Sequence, residues 1–475
     1  MTIAPASTDL GALLAELEAE LPRRQVPGVQ VAVVREGDVI FAGGVGVRDV
    51  QDGQPVGPHT LFDHGSCGKA YTALLAAVLH EDGLFDLDAP VRRYVPELAL
   101  PDPVLAERIT TRDLLSHRSG LARHDFTWIL NPSWTSEDLV RRLAHLPVAG
   151  DLRAEMVYSN LGYTLAGVAM ERATGSTWHH VVATRVLQPA GMTESTTSAD
   201  EFLAHTDRAT PHALREGVVA PTAYRVCEGI APAGQLTPSA VDVAKWLLLH
   251  TGGDAINPDA VAATHRLHMP MPPEQSPHRL MDLTGCGLGW VVMRFRDQPV
   301  SFHSGGVDGF RTDILVLHRQ RIGIAVCGNL FPSLLPMAAA LQIADGLLGH
   351  TDVRWYDELS AGATPEPTTS PVTPSVGASA PTHPLTEYVG VFTDPGYGDL
   401  AVTMDAGQLR VRIGDSDLTT KHRHFDTWDL RYEPLEADFT VTFVADAEGL
   451  VREAVVPLEE AHPTRFARGA DGGTR

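Results

Sequence analysis

The sequence predicts an α/β (α+β) body followed by a smaller all-β unit, on three observations. Strand-patterned segments stand near both ends of the first part of the chain, with helical patterns between them. A stretch rich in Pro, Thr, Ser and Ala, without periodicity, interrupts the chain at residues 361–383. Beyond it, short β-branched runs are divided by Gly, Asp and Pro at close spacing. With 475 residues and 44% hydrophobic content, the chain is long enough for two domains and a substantial core.

The elements follow in order. Asp9 to Leu21 has the spacing of an amphipathic helix, and "GVQVAVVREGDVIFAGGVGVRDV" alternates like a strand pair that breaks at Glu36-Gly37-Asp38. From Ser66 to about Glu81 the pattern turns helical, with Ala70, Leu74, Ala77 and Val78 on one face. Further helices are predicted near 136–146, 161–175 and 238–251. Strand character returns at "LGWVVMRFRD", "VSFHSG" and "TDILVLHRQRIGIAVCGN", the last a hairpin around Arg319-Gln320-Arg321. The sheet is therefore expected to join N- and C-terminal segments. The domain reading is a large α/β body over 1–360, a semi-extended linker over 361–383 and a small antiparallel β-barrel over 384–475.

Charge and composition remove several functions. A net charge of −22, from 37 basic and 59 acidic residues, argues against a nucleic-acid surface, which needs clustered Lys and Arg to displace counterions. The N-terminus lacks a basic region followed by a long apolar run, and no window has membrane-spanning length without charges, so a cytoplasmic protein with no membrane partner is expected. Cys67, Cys227, Cys286 and Cys327 are scattered without metal-ligand spacing, which predicts reduced thiols. His179-His180 and the group His422, His424 and Asp426 lack a complete ligand set and read as surface or packing residues, so no metal and no organic cofactor is expected. Trp178 and Trp246 read as core.

The segment "LFDHGSCGKAYTALL" sets Ser66, Cys67 and Lys69 side by side before an apolar helix. A phosphate loop would need Gly where Asp63 stands and Ser or Thr where Ala70 stands, so that reading fails. Cys67 reads as a small packing residue. Ser66 and Lys69 are three apart, which at helical pitch puts both heads on one face. A serine hydroxyl needs a base, and a lysine serves as one only when burial or nearby positive charge leaves it neutral. Alone, this Ser-x-x-Lys pattern is common by chance.

Two further stretches match it: Tyr158-Ser159-Asn160 ahead of an apolar helix, and His303-Ser304-Gly305 leading into a strand hairpin. In these residues, in this order, the sequence resembles the serine β-lactamase and penicillin-binding-protein superfamily, and within it the class C-like branch of D-aminopeptidases, esterases and CubicO-type peptidases. "GLFDLDAPVRRYVPEL", "ITTRDLLSHRSGL" and "APAGQLTPSAVDVAKWLLLHTGG" extend the likeness over most of residues 20–350. "YVGVFTDPGYGDLAV" and "HFDTWDL" resemble the lipocalin-like unit appended to several such hydrolases. The resemblance implies a transpeptidase-type fold, an antiparallel sheet flanked by helices with a helical subdomain, followed by the barrel.

It also implies roles. Ser66 would attack a carbonyl, Lys69 would take its proton, and Tyr158 would relay a proton to the leaving group with its phenol pKa lowered by Lys69 and His303. Asn160 would hold Lys69 and a substrate amide. The backbone N–H groups of Ser66 and Gly306, beside Gly305, would bind the oxyanion. His303 stands where many β-lactamases carry lysine, which places β-lactam hydrolysis below esterase or peptidase activity. His117 and Ser119 read as fixing a buried loop.

The function expected is thus a serine hydrolase acting through an acyl-enzyme on a small ester, amide or peptide, including D-amino-acid peptides. A penicillin-binding-protein-type thioesterase that cyclises a peptidyl thioester, served by a peptidyl carrier protein, is the alternative, and neighbouring peptide synthetase genes would distinguish it. A catalytically silent binding scaffold is the third reading, which the complete Ser66, Lys69, Tyr158, Asn160 and His303 set opposes. The acyl group, the acceptor and the oligomeric state are left open by the sequence.

Overall fold

The computed structural model describes residues 9–226, 228–272, 275–359, 379–459 and 462–469. Most of the predicted linker, residues 361–378, and Cys227 lie outside the described residues.

The first body is built on strands β1 (Gly28–Arg35), β2 (Asp38–Gly46), β3 (His212–Arg215), β4 (Val218–Pro221), β5 (Met269–Pro270), β6 (Met281–Cys286), β7 (Val291–Phe295), β8 (Gln298–Val307), β9 (Phe310–Leu317) and β10 (Ile322–Gly328). Eight of them form one antiparallel sheet in the order β2-β1-β10-β9-β8-β7-β6-β5, and β3-β4 is a separate hairpin. β1 pairs with β10, Val29 opposite Gly328, so the sheet does join the two ends of the body. The β1–β2 turn has positive φ at both Glu36 and Gly37, the backbone of a tight two-residue hairpin whose twist matches its strands.

Alternation along the strands divides the core. Val29, Val31 and Val33 face the same apolar cluster as Leu315, Leu317, Ile322 and Ile324, covered by the helices Leu10–Glu20 and Leu335–Leu348. Ala32, Val34, Ile314 and Val316 face the other way, against the helices Gly68–Glu81 and Ala240–His250. Asp9 caps the first helix, its carboxylate accepting from Gly11 N at 3.0 Å, a contribution of about 1 kcal/mol. The helix Gly68–Glu81, predicted as one-sided, is buried all round from Gly68 to Leu79, because the helical subdomain containing Asn160–Thr174 covers what would have been its outer face. Trp178 and Trp246 are core residues as expected.

The second unit contains β11 (Gly390–Asp394), β12 (Gly398–Asp405), β13 (Gln408–Ile413), β14 (Ser416–His424), β15 (Thr427–Tyr432), β16 (Ala437–Ala445), β17 (Val451–Val456) and β18 (Thr464–Arg468). Each pairs antiparallel with the next, and β18 returns to β11, closing an eight-stranded barrel. Period-2 burial, plain in β13, sends Leu409, Val411 and Ile413 inward and leaves the intervening Arg410 and Arg412 in solvent. Among the described residues no helix is long and apolar enough to cross a membrane.

Candidate active site

Ser66 sits on a single 3₁₀ turn, Gly65–Cys67, that runs directly into the helix Gly68–Glu81. The turn is held from below: Asp63 accepts from Gly65 N at 2.7 Å and from the Tyr224 hydroxyl at 2.6 Å, and His64 Nε2 meets Gln30 Oε1 at 2.9 Å. Gly65 has φ +49, a left-handed conformation that a side chain would strain. Cys67 points into the core, where burial pushes its thiol well up, and its Sγ lies 3.5 Å from the His303 carbonyl. It is a packing residue that ties the turn to β8.

One turn along, Lys69 is fully buried, and its Nζ reaches Ser66 Oγ at 3.2 Å, Asn160 Oδ1 at 2.7 Å and the Ala233 carbonyl at 2.6 Å. Burial pulls its pKa down to about 7; Asp125 opposes that shift, and Arg123 adds to it. Two of the three partners can only accept. A neutral amine therefore spends its two N–H groups on Asn160 and Ala233 and turns its lone pair to the Ser66 hydroxyl.

The helix Asn160–Thr174 starts with Ser159 as its cap, the hydroxyl accepting from Gly162 N at 3.2 Å, and this places Tyr158 and Asn160 on either side of the cap. Asn160 donates through Nδ2 to Asp125 Oδ1 at 2.8 Å. Its amino group, expected to meet substrate, is thus engaged by a carboxylate that the sequence reading had not singled out. The Ala233 carbonyl comes from the short helix Ala231–Gly234, pinned by Thr72 donating to the Pro232 carbonyl at 2.6 Å and by Trp178 Nε1 donating to Thr72 at 3.2 Å.

Tyr158 packs against His117, ring centres 4.5 Å apart, with Lys69 Nζ 4.8 Å and the Arg123 guanidinium 5.1 Å from its own ring centre. Its pKa is raised rather than lowered: burial dominates, and the hydrogen bond to Ser66 and the Arg123 charge only partly oppose it. The expected depression by Lys69 and His303 is corrected on this point. Burial first, then the Lys69 charge, pull His303 down to about 3, so its ring is neutral, and its Nδ1 donates to the Ser304 carbonyl at 2.7 Å. Tyr158 is a neutral phenol here.

Gly305 and Gly306 lie on β8 beside the Ser66 turn. A Cβ on Gly305 would stand 2.0 Å from the His64 carbonyl oxygen, so glycine is what lets β8 approach the turn. Gly306 is exposed and lies against Gly65, whose Cβ would meet the Gly306 backbone at 3.1 Å. His117 does fix a loop, its Nδ1 accepting from Ser159 N at 3.2 Å, and Ser119 accepts from Leu121 N at 3.2 Å.

Reading by motif missed Asp125, Arg123 and the Ala233 carbonyl. The first two had a signal: Arg123 and Asp125, flanking His124, are an opposite-charge pair inside the otherwise mostly apolar "GLARHDFTWIL". Asp125 holds Arg123 through Nε at 3.0 Å and Nη2 at 2.8 Å, and accepts from Trp128 Nε1 at 3.1 Å. His179 and His422 bond elsewhere, to Thr197 Oγ1 at 3.1 Å and to the Phe425 carbonyl at 2.8 Å, and Asp426 accepts from Thr382 and Tyr388. Among the described residues no group of His, Cys, Asp and Glu is placed to hold a metal ion.

A family model described as Beta-lactamase matches residues 14–347, which span the whole eight-stranded sheet and every residue of this site. The chain belongs to the beta-lactamase family. A second model, a domain of unknown function called DUF3471, matches residues 375–468, where the barrel lies. This beta-lactamase-family chain is 26% identical, over 95% of its length and 86% of the relative's, to the unguisins hydrolase ungD' of Aspergillus campestris (strain IBT 28561). Its fold is similar to the octameric penicillin-binding protein homologue from Pyrococcus abyssi, with a TM-score of 0.66 at 21% identity, covering 97% of this chain and all of that one. SurE, crystallised with D-Leu, is similar at a TM-score of 0.59 and 25% identity, covering 97% of this chain and 99% of SurE. The protein is a β-lactamase-like serine hydrolase or acyltransferase.

Proposed function

We propose that the protein cleaves an ester or amide bond, with amino-acid or peptide amides as its natural class, through an acyl-enzyme on Ser66. The observation that carries this reading is the Lys69 amine, buried beside Ser66, held by two acceptor-only groups and with its pKa lowered to about 7. Such a lysine is substantially neutral at working pH and oriented to take the serine proton.

In this reading Ser66 Oγ bonds to the substrate carbonyl carbon while its proton passes to Lys69 Nζ. The oxyanion is received by the backbone N–H groups of Ser66 and Gly306. Tyr158, a neutral phenol bonded to Ser66, passes a proton to the departing amine or alkoxide and is reprotonated from Lys69. Water then repeats the attack on the acyl-enzyme and restores Ser66. His303 shapes the site as a neutral ring and carries no charge for a substrate carboxylate, which supports placing β-lactams below other substrates. The likeness to a hydrolase along nearly the whole chain, and to SurE crystallised with an amino acid, supports the hydrolytic reading and the substrate class.

Intact mass after a fluorophosphonate probe, together with turnover of p-nitrophenyl esters and D- and L-aminoacyl amides, tests it. One adduct and turnover in wild type, both absent in Ser66→Ala, are expected; turnover surviving in Ser66→Ala would overturn the assignment. Added amine in the same assay reads whether the acyl group also passes to nitrogen.

A further inference from the structure

The barrel docks on the segment that carries Arg123 and Asp125. Asp415 N donates to the Leu130 carbonyl at 3.0 Å, Ser133 N donates to Asp415 Oδ2 at 3.1 Å, and Phe126 meets Phe439 edge to face at 4.7 Å. The approach leaves no room for side chains: a Cβ on Gly414 would fall 1.8 Å from Asn131 Oδ1, and one on Gly396 2.7 Å from Leu146. This is a fitted joint.

At its inner end the joint reaches His124. Tyr397, in the turn between β11 and β12, is buried and meets His124 Nδ1 through its hydroxyl at 2.8 Å. Glu459, just past β17, accepts from His124 N at 3.0 Å. The ring's Nε2 faces the Pro147 carbonyl at 2.7 Å, an acceptor, so Nε2 donates, while Nδ1, on the barrel side, also lies 3.6 Å from Glu459 Oε2. The backbone at His124 has φ +44, a left-handed conformation that a non-glycine residue holds only where its surroundings impose it. That conformation throws the two flanking side chains into the site: Arg123 over the Tyr158 ring and Asp125 onto Asn160, which holds Lys69.

We propose that Tyr397 and Glu459, two barrel residues, are positioning residues of the hydrolase site, holding the His124 turn so that Arg123 and Asp125 are set against Tyr158 and Asn160. The barrel thereby acts on the chemistry of Ser66 from outside the sheet. This rests on the proposed acyl-enzyme reading.

The test is a double-mutant cycle on the full chain, reading kcat and KM for a p-nitrophenyl ester, with Ser66→Ala as control and thermal unfolding to show that each variant is folded. Tyr397→Phe removes the hydroxyl, and Glu459→Ala removes the acceptor of His124 N. Each is expected to lower kcat about tenfold with KM little changed, the scale of a small misplacement of catalytic groups. Glu459→Gln, which keeps an acceptor oxygen, is expected to restore kcat. If the effect passes through Asp125, adding Tyr397→Phe to Asp125→Ala costs less than about threefold more, whereas independent losses multiply. Multiplying losses, or variants with lowered melting temperature and unchanged kcat, would overturn the proposal and leave the Ser66 reading standing. Turnover that survives in Ser66→Ala would overturn both. Should Tyr397→Phe fail to fold, the Glu459 pair, on a half-buried side chain, gives the same decision.

Discussion

Lys69 Nζ donates to Asn160 Oδ1 at 2.7 Å, and the opposite end of that amide is held by Asp125, so the orientation of Asn160 is fixed by a donor on one side and an acceptor on the other. Lys69 therefore has a fixed direction for its lone pair. Arginine in its place retains the positive charge but stays protonated at any pH the fold survives. Lys69→Arg and Lys69→Ala are both expected to lower ester turnover by about 10²–10⁴, the usual worth of a positioned base. Equal loss of fluorophosphonate labelling at Ser66 in both would separate loss of the base from loss of binding.

The acid limb of kcat/KM is expected near pH 7. In the proposed mechanism Lys69 takes the serine proton only when neutral, and its pKa in the folded protein is pulled down to about 7. Below that value the lysine gains a proton and the rate falls about tenfold per unit; above it the rate levels off. Tyr158 adds no alkaline limb in the ordinary tyrosine range, because burial raises its pKa. His303 adds no limb near 6.5, because it is already neutral down to about 3. His303→Gln should leave the acid limb in place, and a limb that moves with that substitution would give the titration to histidine instead.

Asp125→Asn should move the same limb to lower pH. The Asp125 charge favours the Lys69 cation and Arg123 opposes it, so neutralising the carboxylate leaves Arg123 uncompensated and the lysine pKa falls further. An asparagine oxygen can still accept from Asn160, which keeps the geometry. The expected shift is about one unit or less, read as the midpoint of the kcat/KM profile. A shift to higher pH would mean that Arg123 leaves the site with its partner.

The legibility of this chain in its sequence follows the range of the forces involved. The β1–β2 hairpin is set by Glu36-Gly37, and the Ser66–Lys69 pairing is set by helical pitch; both are local and were readable. The barrel was readable from short strand-like runs divided by Gly, Asp and Pro, because each turn of an up-and-down barrel is local. Strands β3 to β6 were not, since "MDLTGC" interleaves Asp, Thr and Gly with few β-branched residues and takes its strand form from its neighbour β7. Asp125 escaped because its role depends on a contact 35 residues away in sequence with Asn160, and on a barrel that begins far downstream. The raised phenol pKa of Tyr158 escaped because desolvation is a property of the packed site, invisible in the order of residues.

Gly305 is expected to be the less replaceable of the two glycines behind the Ser66 turn. Its Cβ would lie 2.0 Å from the backbone oxygen of His64, whereas on Gly306 it would meet the Phe331 ring edge at 2.6 Å. A ring can swing; the His64 carbonyl cannot, because it also accepts from Cys67 N at 3.2 Å within the turn that carries Ser66. Gly305→Ala must therefore push β8 and the Ser66 turn apart. Overpacking of this kind costs about 1–3 kcal/mol, and the displacement falls on Ser66, the proposed nucleophile. Gly305→Ala should lower both the melting temperature and the rate of fluorophosphonate labelling, while Gly306→Ala should lower labelling with a smaller loss of stability. Wild-type labelling in a folded Gly305→Ala protein would show that the turn has slack the present packing does not display.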